Sequence, residues 1–196
     1  MTKPQVFLRQ ATLSDIPALE VLLNRCYRFN EGWTNEAELV GGVRTNQGEL
    51  ESVINDPKQY LFVFPKTKNG ARDGVETGEI LGCINVEMGN NDAHIGMFAV
   101  NPELQGNGVG NTMLEAGEVF AARHLNHQKS KNNAQNEPSP MVIKLLVLNG
   151  RPKMQAYYER RGYVATGNTE AFPEDGNNGT PKKDGLYFFE LAKIIE

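Results

Sequence analysis

The sequence predicts an α/β sandwich, a central mixed, mostly antiparallel sheet of about seven strands with four helices on its two faces. Three observations carry that prediction. β-rich runs and runs with a helical period alternate in the order β-α-α-β-β-β-α-β-α-β-β. Residues 59–64, 79–88 and 94–100 follow one another through polar or tight turns, as antiparallel neighbours do. Residues 141–148, Met-Val-Ile-Lys-Leu-Leu-Val-Leu, are almost wholly apolar, as a strand covered on both faces should be.

Val6-Phe7-Leu8-Arg9-Gln10 opens the chain as a strand. Thr12 or Ser14 caps the first helix, with Asp15 as an acid in its first turn. Its apolar stripe is Ile16, Leu19, Leu22, Leu23 and Cys26, fading near Phe29. Residues 30–38 hold the only tryptophan, Trp33, among Glu31, Glu36 and Glu38. The Gly41-Gly42 pair argues against a helix at that point. Asn46 and Glu49 have capping-box spacing for a short second helix, which Asp56-Pro57 ends. Residues 65–77 form a long polar hairpin loop, and 89–92 a tight turn. The third helix runs from the glycine turn to about Leu125. Residues 126–140, rich in Asn, Lys and Gln, read as a flexible excursion rather than a domain boundary. Pro152 suits a first helical turn, and Gly162 a helix end. Residues 163–166 and 186–191 are the last two strands, with a loop at 172–185 between them. One domain over 1–196 is expected, its core about 6–193, with flexible loops near 66–78, 126–140 and 170–185.

Composition narrows the class. The chain has 196 residues, 39% hydrophobic and 22% charged, with a net charge of −4. That balance gives no support for nucleic-acid or anionic-membrane binding and mildly favours a cationic partner such as an amine. No apolar run reaches membrane-spanning length, and the N-terminus lacks the apolar core of a signal peptide. Two cysteines, Cys26 and Cys83, are too few for a disulfide framework, so a buried reduced thiol at Cys83 and a cytoplasmic location are expected.

The most informative stretch is 94–114. A strand ends at Asn101-Pro102, three alternate glycines follow at Gly106, Gly108 and Gly110, and then Val109, Met113, Ala116, Phe120 and Ala121 set a helical period. Glycines admit close approach of a ligand to the backbone, and the first N–H groups of a helix lack internal partners. Together with the helix dipole they suit a phosphate or pyrophosphate. The glycine spacing is not that of a dinucleotide-binding fingerprint, and the Gly-Lys-Ser/Thr of a P-loop is missing. A nucleotide-binding α/β domain is therefore a weaker reading.

Gln105-Gly106-Asn107-Gly108-Val109-Gly110 after Ala99-Val100-Asn101-Pro102 resembles the coenzyme A loop of the GNAT family of N-acetyltransferases. Ala156-Tyr157-Tyr158-Glu159-Arg160-Arg161-Gly162-Tyr163 resembles the family's second signature, after its fifth strand. The element order matches that fold over nearly the whole chain. The resemblance implies a sheet splayed between its fourth and fifth strands. It implies acetyl-CoA as acyl-donor substrate, with no metal. Pyrophosphate would be bound by the backbone of Gln105, Gly106, Asn107, Gly108, Val109, Gly110 and Asn111. Backbone groups of Met97, Phe98, Ala99 and Val100 would pair with the pantetheine arm, and an N–H at or near Phe98 would face the thioester oxygen. Asn149 matches an asparagine that bonds pantetheine, although its spacing to Tyr158 is longer than the common pattern. Arg151, Lys153, Arg160 or Arg161 could meet a coenzyme phosphate. Asn107 departs from the Lys or Arg of many relatives.

Tyr158 matches the tyrosine that protonates the departing thiolate, selected over Tyr157 by its distance to Gly162. His94 falls where the family often has a carboxylate base. A histidine, with a reference pKa of about 6.5, suits that task near neutral pH. Strand alternation puts residues 94, 96, 98 and 100 on one face. Glu87, Glu31 and Glu36 are rival bases. Trp33 with Glu31 and Glu36 lies where relatives shape the acceptor site, and an aromatic among acids suits a cationic amine. The expected activity is direct attack of a primary amine on acetyl-CoA in a ternary complex. The alternative is an acetyl-CoA-binding sensor or interaction module without turnover. The acceptor, a small molecule or a peptide, is left open, as is the number of copies, a homodimer included. Neither nucleic acid nor membrane is an expected partner.

Overall fold

The computed structural model describes residues 5–131, 140–173 and 178–195. Its elements in chain order are β1 (Arg9–Gln10), α1 (Ile16–Arg28), β2 (Val40–Gly41), α2 (Gln47–Asn55), β3 (Gln59–Thr67), β4 (Glu76–Met88), β5 (Asp92–Val100), α3 (Val109–Lys131), β6 (Met141–Leu148), α4 (Pro152–Glu159), β7 (Val164–Ala171), β8 (Thr180–Pro181) and β9 (Tyr187–Ile195). Seven strands form one sheet in the order β1-β3-β4-β5-β6-β9-β7. Every neighbouring pair is antiparallel except β5 and β6, which are parallel. The α/β class, the strand number and the four helices are those the sequence predicts.

The two faces follow from side-chain periodicity. On one face α3 and α4 bury Met113, Leu114, Leu125 and Tyr158 against Val86, Ile143 and Leu145. On the other, α1 and α2 bury Leu19, Leu23, Cys26 and Leu50 against Leu61, Val63 and Cys83. The stripe expected of the first helix is the buried face of α1. Each fully buried leucine contributes about 2–3 kcal/mol through apolar burial. Cys26 and Cys83 are buried free thiols. No helix among the described residues is long and apolar enough to cross a membrane.

Element ends differ from the sequence reading where tertiary contacts outweigh local pattern. Residues 6–8 pack on the α3 cluster but stand outside the ladder, so the first strand shrinks to Arg9–Gln10. β3 runs on through Pro65, which sits opposite Ile80 between two register shifts. A bulge tolerates the missing N–H there. The hairpin loop is correspondingly shorter than 65–77. Residues 126–131 extend α3, and 132–139 of the expected excursion lie outside the described residues. Within 170–185 a short ladder joins β8 to β2, pairing Val40 with Pro181 and Gly41 with Thr180. Gly179 makes that crossing feasible: its φ is 89°, and a Cβ there would stand 2.2 Å from the Gly41 carbonyl oxygen. Residues 174–177 of the same loop lie outside the described residues.

Candidate active site

β5 and β6 pair only over Asp92, Ala93 and His94, opposite Val142, Ile143 and Lys144. Beyond His94 they part. The gap is a cavity of about 430 Å³, with Ile95, Gly96, Met97 and Phe98 on one side and Leu145, Leu146, Val147 and Leu148 on the other. These are the fourth and fifth strands of the large sheet in chain order.

A β-bulge shapes β5 at the point of parting. Cys83 pairs with Ala99 and Asn85 with Gly96, so Met97 and Phe98 together face Ile84. Met97 takes a φ of 41°, in the left-handed region. The extra residue exchanges the faces. Ala93, Ile95, Phe98 and Val100 pack in the α3 cluster, whereas Met97 and Ala99 pack in the α1 cluster. The expectation that residues 94, 96, 98 and 100 share a face is thereby corrected: His94 and Phe98 lie on opposite faces. Three side chains secure the bulge. The Tyr27 hydroxyl donates to the Phe98 carbonyl at 3.0 Å, the Cys83 thiol to the Met97 carbonyl at 3.1 Å, and the Cys26 thiol to the Val100 carbonyl at 3.4 Å. Burial pushes the Tyr27 hydroxyl up to about 12, so it stays a donor at neutral pH.

The glycine turn lies next to this bulge. Gly106 and Gly108 have φ of 82° and 83°, conformations that side chains disfavour. α3 follows at once, and its N–H groups at Val109, Gly110 and Asn111 precede the bond from the Thr112 N–H to the Gly108 carbonyl. A cavity of about 310 Å³ opens over the turn, lined by Trp33, Phe98, Gly106, Gly108, Asn111 and Tyr157 among others. The Gln105 side chain is an internal tie. It accepts from the Trp33 N–H at 3.0 Å and donates to Thr34 Oγ1 at 3.0 Å and to the Val100 carbonyl at 3.1 Å. Asn107 is exposed at the tip, and Val109 is buried in the core. Arg161 lies over the Tyr157 ring, 3.6 Å from its centroid, and donates to Asn111 Oδ1. The Tyr157 hydroxyl is buried without a hydrogen-bond partner among the described residues. Open space at Gly106, unpaired helix N–H groups, a nearby guanidinium and an unsatisfied hydroxyl fit a pyrophosphate with a polar chain attached.

The two cavities share Thr34, Phe98 and Met154, so they adjoin beside the bulge. Tyr158 lines the larger one and Tyr157 the smaller. Tyr158 is buried, and no hydrogen bond reaches its hydroxyl among the described residues. Burial pushes this phenol well above its ordinary value, with Tyr27 and Tyr157 adding to the effect. It is therefore a persistent proton donor facing an open cleft.

His94 lines the larger cavity with its side chain 40% exposed, Nε2 standing 3.8 Å from Asp92 Oδ2. Its cross-strand partner Glu87 lines the same wall. Glu36 also lines it, but as the centre of a buried ion-pair trio, 2.8 Å from Arg28 Nη1 and 2.9 Å from Arg151 Nη1. Each of its two carboxylate oxygens accepts from one of these guanidiniums. Glu31 pairs with Arg25 at 2.7 Å on the surface and lines neither cavity. Trp33 belongs to the glycine-turn cavity, its ring 5.6 Å from that of Tyr157. Asn149 is not brought to the cleft. Its side chain bonds the Gly185 carbonyl at 2.9 Å and the Tyr187 N–H at 3.1 Å, fixing the start of β9.

Several cleft residues escaped the sequence reading: Tyr27, Arg28, Arg44, Asn85 and Asn178. Tyr27 had a signal, since it continues the four-residue spacing from Leu19 and Leu23. The others come from separated segments and had none.

Residues 58–165 match the model of the acetyltransferase (GNAT) domain family. That is more than half of the chain, and the protein belongs to this family. Among solved structures it is similar to the ribosomal-protein-alanine N-acetyltransferase from Brucella melitensis, with 15% identity over 97% of this chain and 100% of that one, and a TM-score of 0.62. It is also similar to the spermidine/spermine N-acetyltransferase SpeG from Vibrio cholerae, with 19% identity over 97% of this chain and 92% of that one, and a TM-score of 0.53. Among curated proteins none matches the chain in sequence.

Proposed function

We propose that the protein moves the acetyl group of acetyl-CoA to the primary amine of a small molecule, by direct attack in a ternary complex. The observation that carries this reading is that the two cavities adjoin beside the bulge, with Tyr158 in the wall of the larger. Diphosphate rests on the N–H groups of residues 106–111, held by charge and by the helix dipole. The pantetheine arm runs along Met97–Val100, and the acetyl group lies at the parting of β5 and β6.

The amine nitrogen attacks the thioester carbonyl carbon. A C–N bond forms, the C–S bond breaks, and the thiolate leaves. The nitrogen gives up its proton to His94, with Glu87 or a water as relay. N–H groups at the bulge stabilise the developing oxyanion. Tyr158 donates its hydroxyl hydrogen to the thiolate, so the products are an amide and coenzyme A thiol. Glu36 holds two arginines in place and is not the base. The protein works as one domain in the cytoplasm.

Thiol release from acetyl-CoA with a panel of amines tests the reading. Amine-dependent release supports it. Coenzyme binding without release from any amine favours a sensor, and absence of binding overturns both.

A further inference from the structure

The acceptor end of the cleft is walled by three arginines, Arg28, Arg44 and Arg151. They are linked into one set. Arg28 and Arg151 share Glu36. Arg28 Nη2 donates to the Asn178 carbonyl at 2.6 Å, and Arg44 Nη1 to Asn178 Oδ1 at 3.0 Å. The set carries more positive charge than its carboxylates balance. Glu36 is the one acid bonded within it, and the Glu49 carboxylate stands 3.7 Å from Arg44. Glu87 and Glu170, the other acids of the cleft, make no ion pair among the described residues.

The surplus is buried. The Arg28 side chain is 4% exposed, and its Nε has no hydrogen-bond partner among the described residues. Burial pulls this guanidinium below its ordinary value; Glu36 opposes the shift and Arg44 adds to it. Buried positive charge without a matching anion is unfavourable, and an anion entering the cleft relieves it. A second unsatisfied group points to the other half of the same ligand. Asn85, at the wall beside Gly96, has a buried Oδ1 that no group among the described residues donates to. It is an acceptor next to the strand where the amine must lie.

We propose that the acceptor is a small amine that also carries a carboxylate, an amino acid rather than a polyamine, with its carboxylate received by Arg28 and Arg44. The inference rests on the acetyl-transfer reading and names its substrate class. The cavity volume of about 430 Å³ suits a molecule of that size. A guanidinium fork offers parallel donors that match a carboxylate.

The test compares amino acids of increasing amine-to-carboxylate spacing with their carboxamides, and with spermidine, by thiol release from acetyl-CoA. The carboxamide keeps the size and removes the charge. Loss of charge-assisted hydrogen bonds predicts kcat/KM about 10- to 100-fold higher for at least one acid than for its carboxamide. Arg44→Gln removes that ratio while the KM for acetyl-CoA stays unchanged, and Arg44→Lys restores part of it. Carboxamides or spermidine equal to or better than every acid overturn the inference, and that panel decides on the unmodified chain even if the variants are unstable. If no amine gives thiol, acetyl transfer itself fails. Calorimetry of the acids with coenzyme A-saturated protein then separates the two failures: binding that Arg44→Gln abolishes keeps the carboxylate site without the transfer, and no binding overturns the site as well.

Discussion

The two ends of the cleft are built in different ways. The coenzyme end is mostly backbone, a bulged strand, a turn with two left-handed glycines, and the start of α3, all within residues 97–111. The acceptor end is mostly side chains, drawn from α1, the 30–45 segment, β4, α4 and the loop before β8. In the proposed reading, backbone geometry binds the coenzyme. Side chains from scattered segments set what reacts with it. Substitutions at one end should therefore move different observables from substitutions at the other.

The largest effect is expected at the acceptor end. Glu36→Gln leaves Arg28 and Arg151 buried against a neutral amide, which costs about 3–5 kcal/mol of stability. Thermal unfolding should fall by roughly 10 °C. A shift under a few degrees would mean that the trio contributes little to the wall. Next comes Tyr158→Phe. Losing the proton donor should lower kcat by about 100-fold and leave acetyl-CoA affinity within a few-fold. Because burial raises the Tyr158 hydroxyl above the ordinary tyrosine value of about 10, the donor stays protonated as pH rises. The wild-type rate should show no decline from its ionisation below about pH 10.

The coenzyme end gives smaller and more selective effects. Gly108→Val forces a β-branched residue to a φ of 83°, a strain of about 1–2 kcal/mol. The KM for acetyl-CoA should rise about 10-fold while the acceptor KM holds. Trp33→Ala should raise the acetyl-CoA KM about 3- to 10-fold, the worth of an aromatic contact. If it changes the acceptor KM instead, the boundary between the two ends is misplaced.

The same contrast decides what could be read from the sequence. The coenzyme end is contiguous, so its glycine spacing, its proline stop and its helical period are visible in a row. The sheet was legible because alternation and apolar runs mark strands directly. The bulge was not, since no residue type demands it at Met97, and one inserted residue inverted the expected facing of His94 and Phe98. Glu36 and Trp33 lie in one segment, but which cavity each enters depends on Arg28, Arg151 and Gln105, distant in sequence. Asn149 carried a motif position, yet the hydrogen-bond needs of Tyr187 and Gly185 claim its side chain. The β2–β8 ladder hid in two glycine-bearing loops because two-residue strands have no periodicity.

Backbone hydrogen exchange with and without saturating acetyl-CoA tests the central claim most directly. The account predicts slowed exchange at amides 106–111 and along 97–100, with little change in the β3–β4 hairpin. Unchanged exchange at 106–111 in a protein that demonstrably binds acetyl-CoA would contradict it.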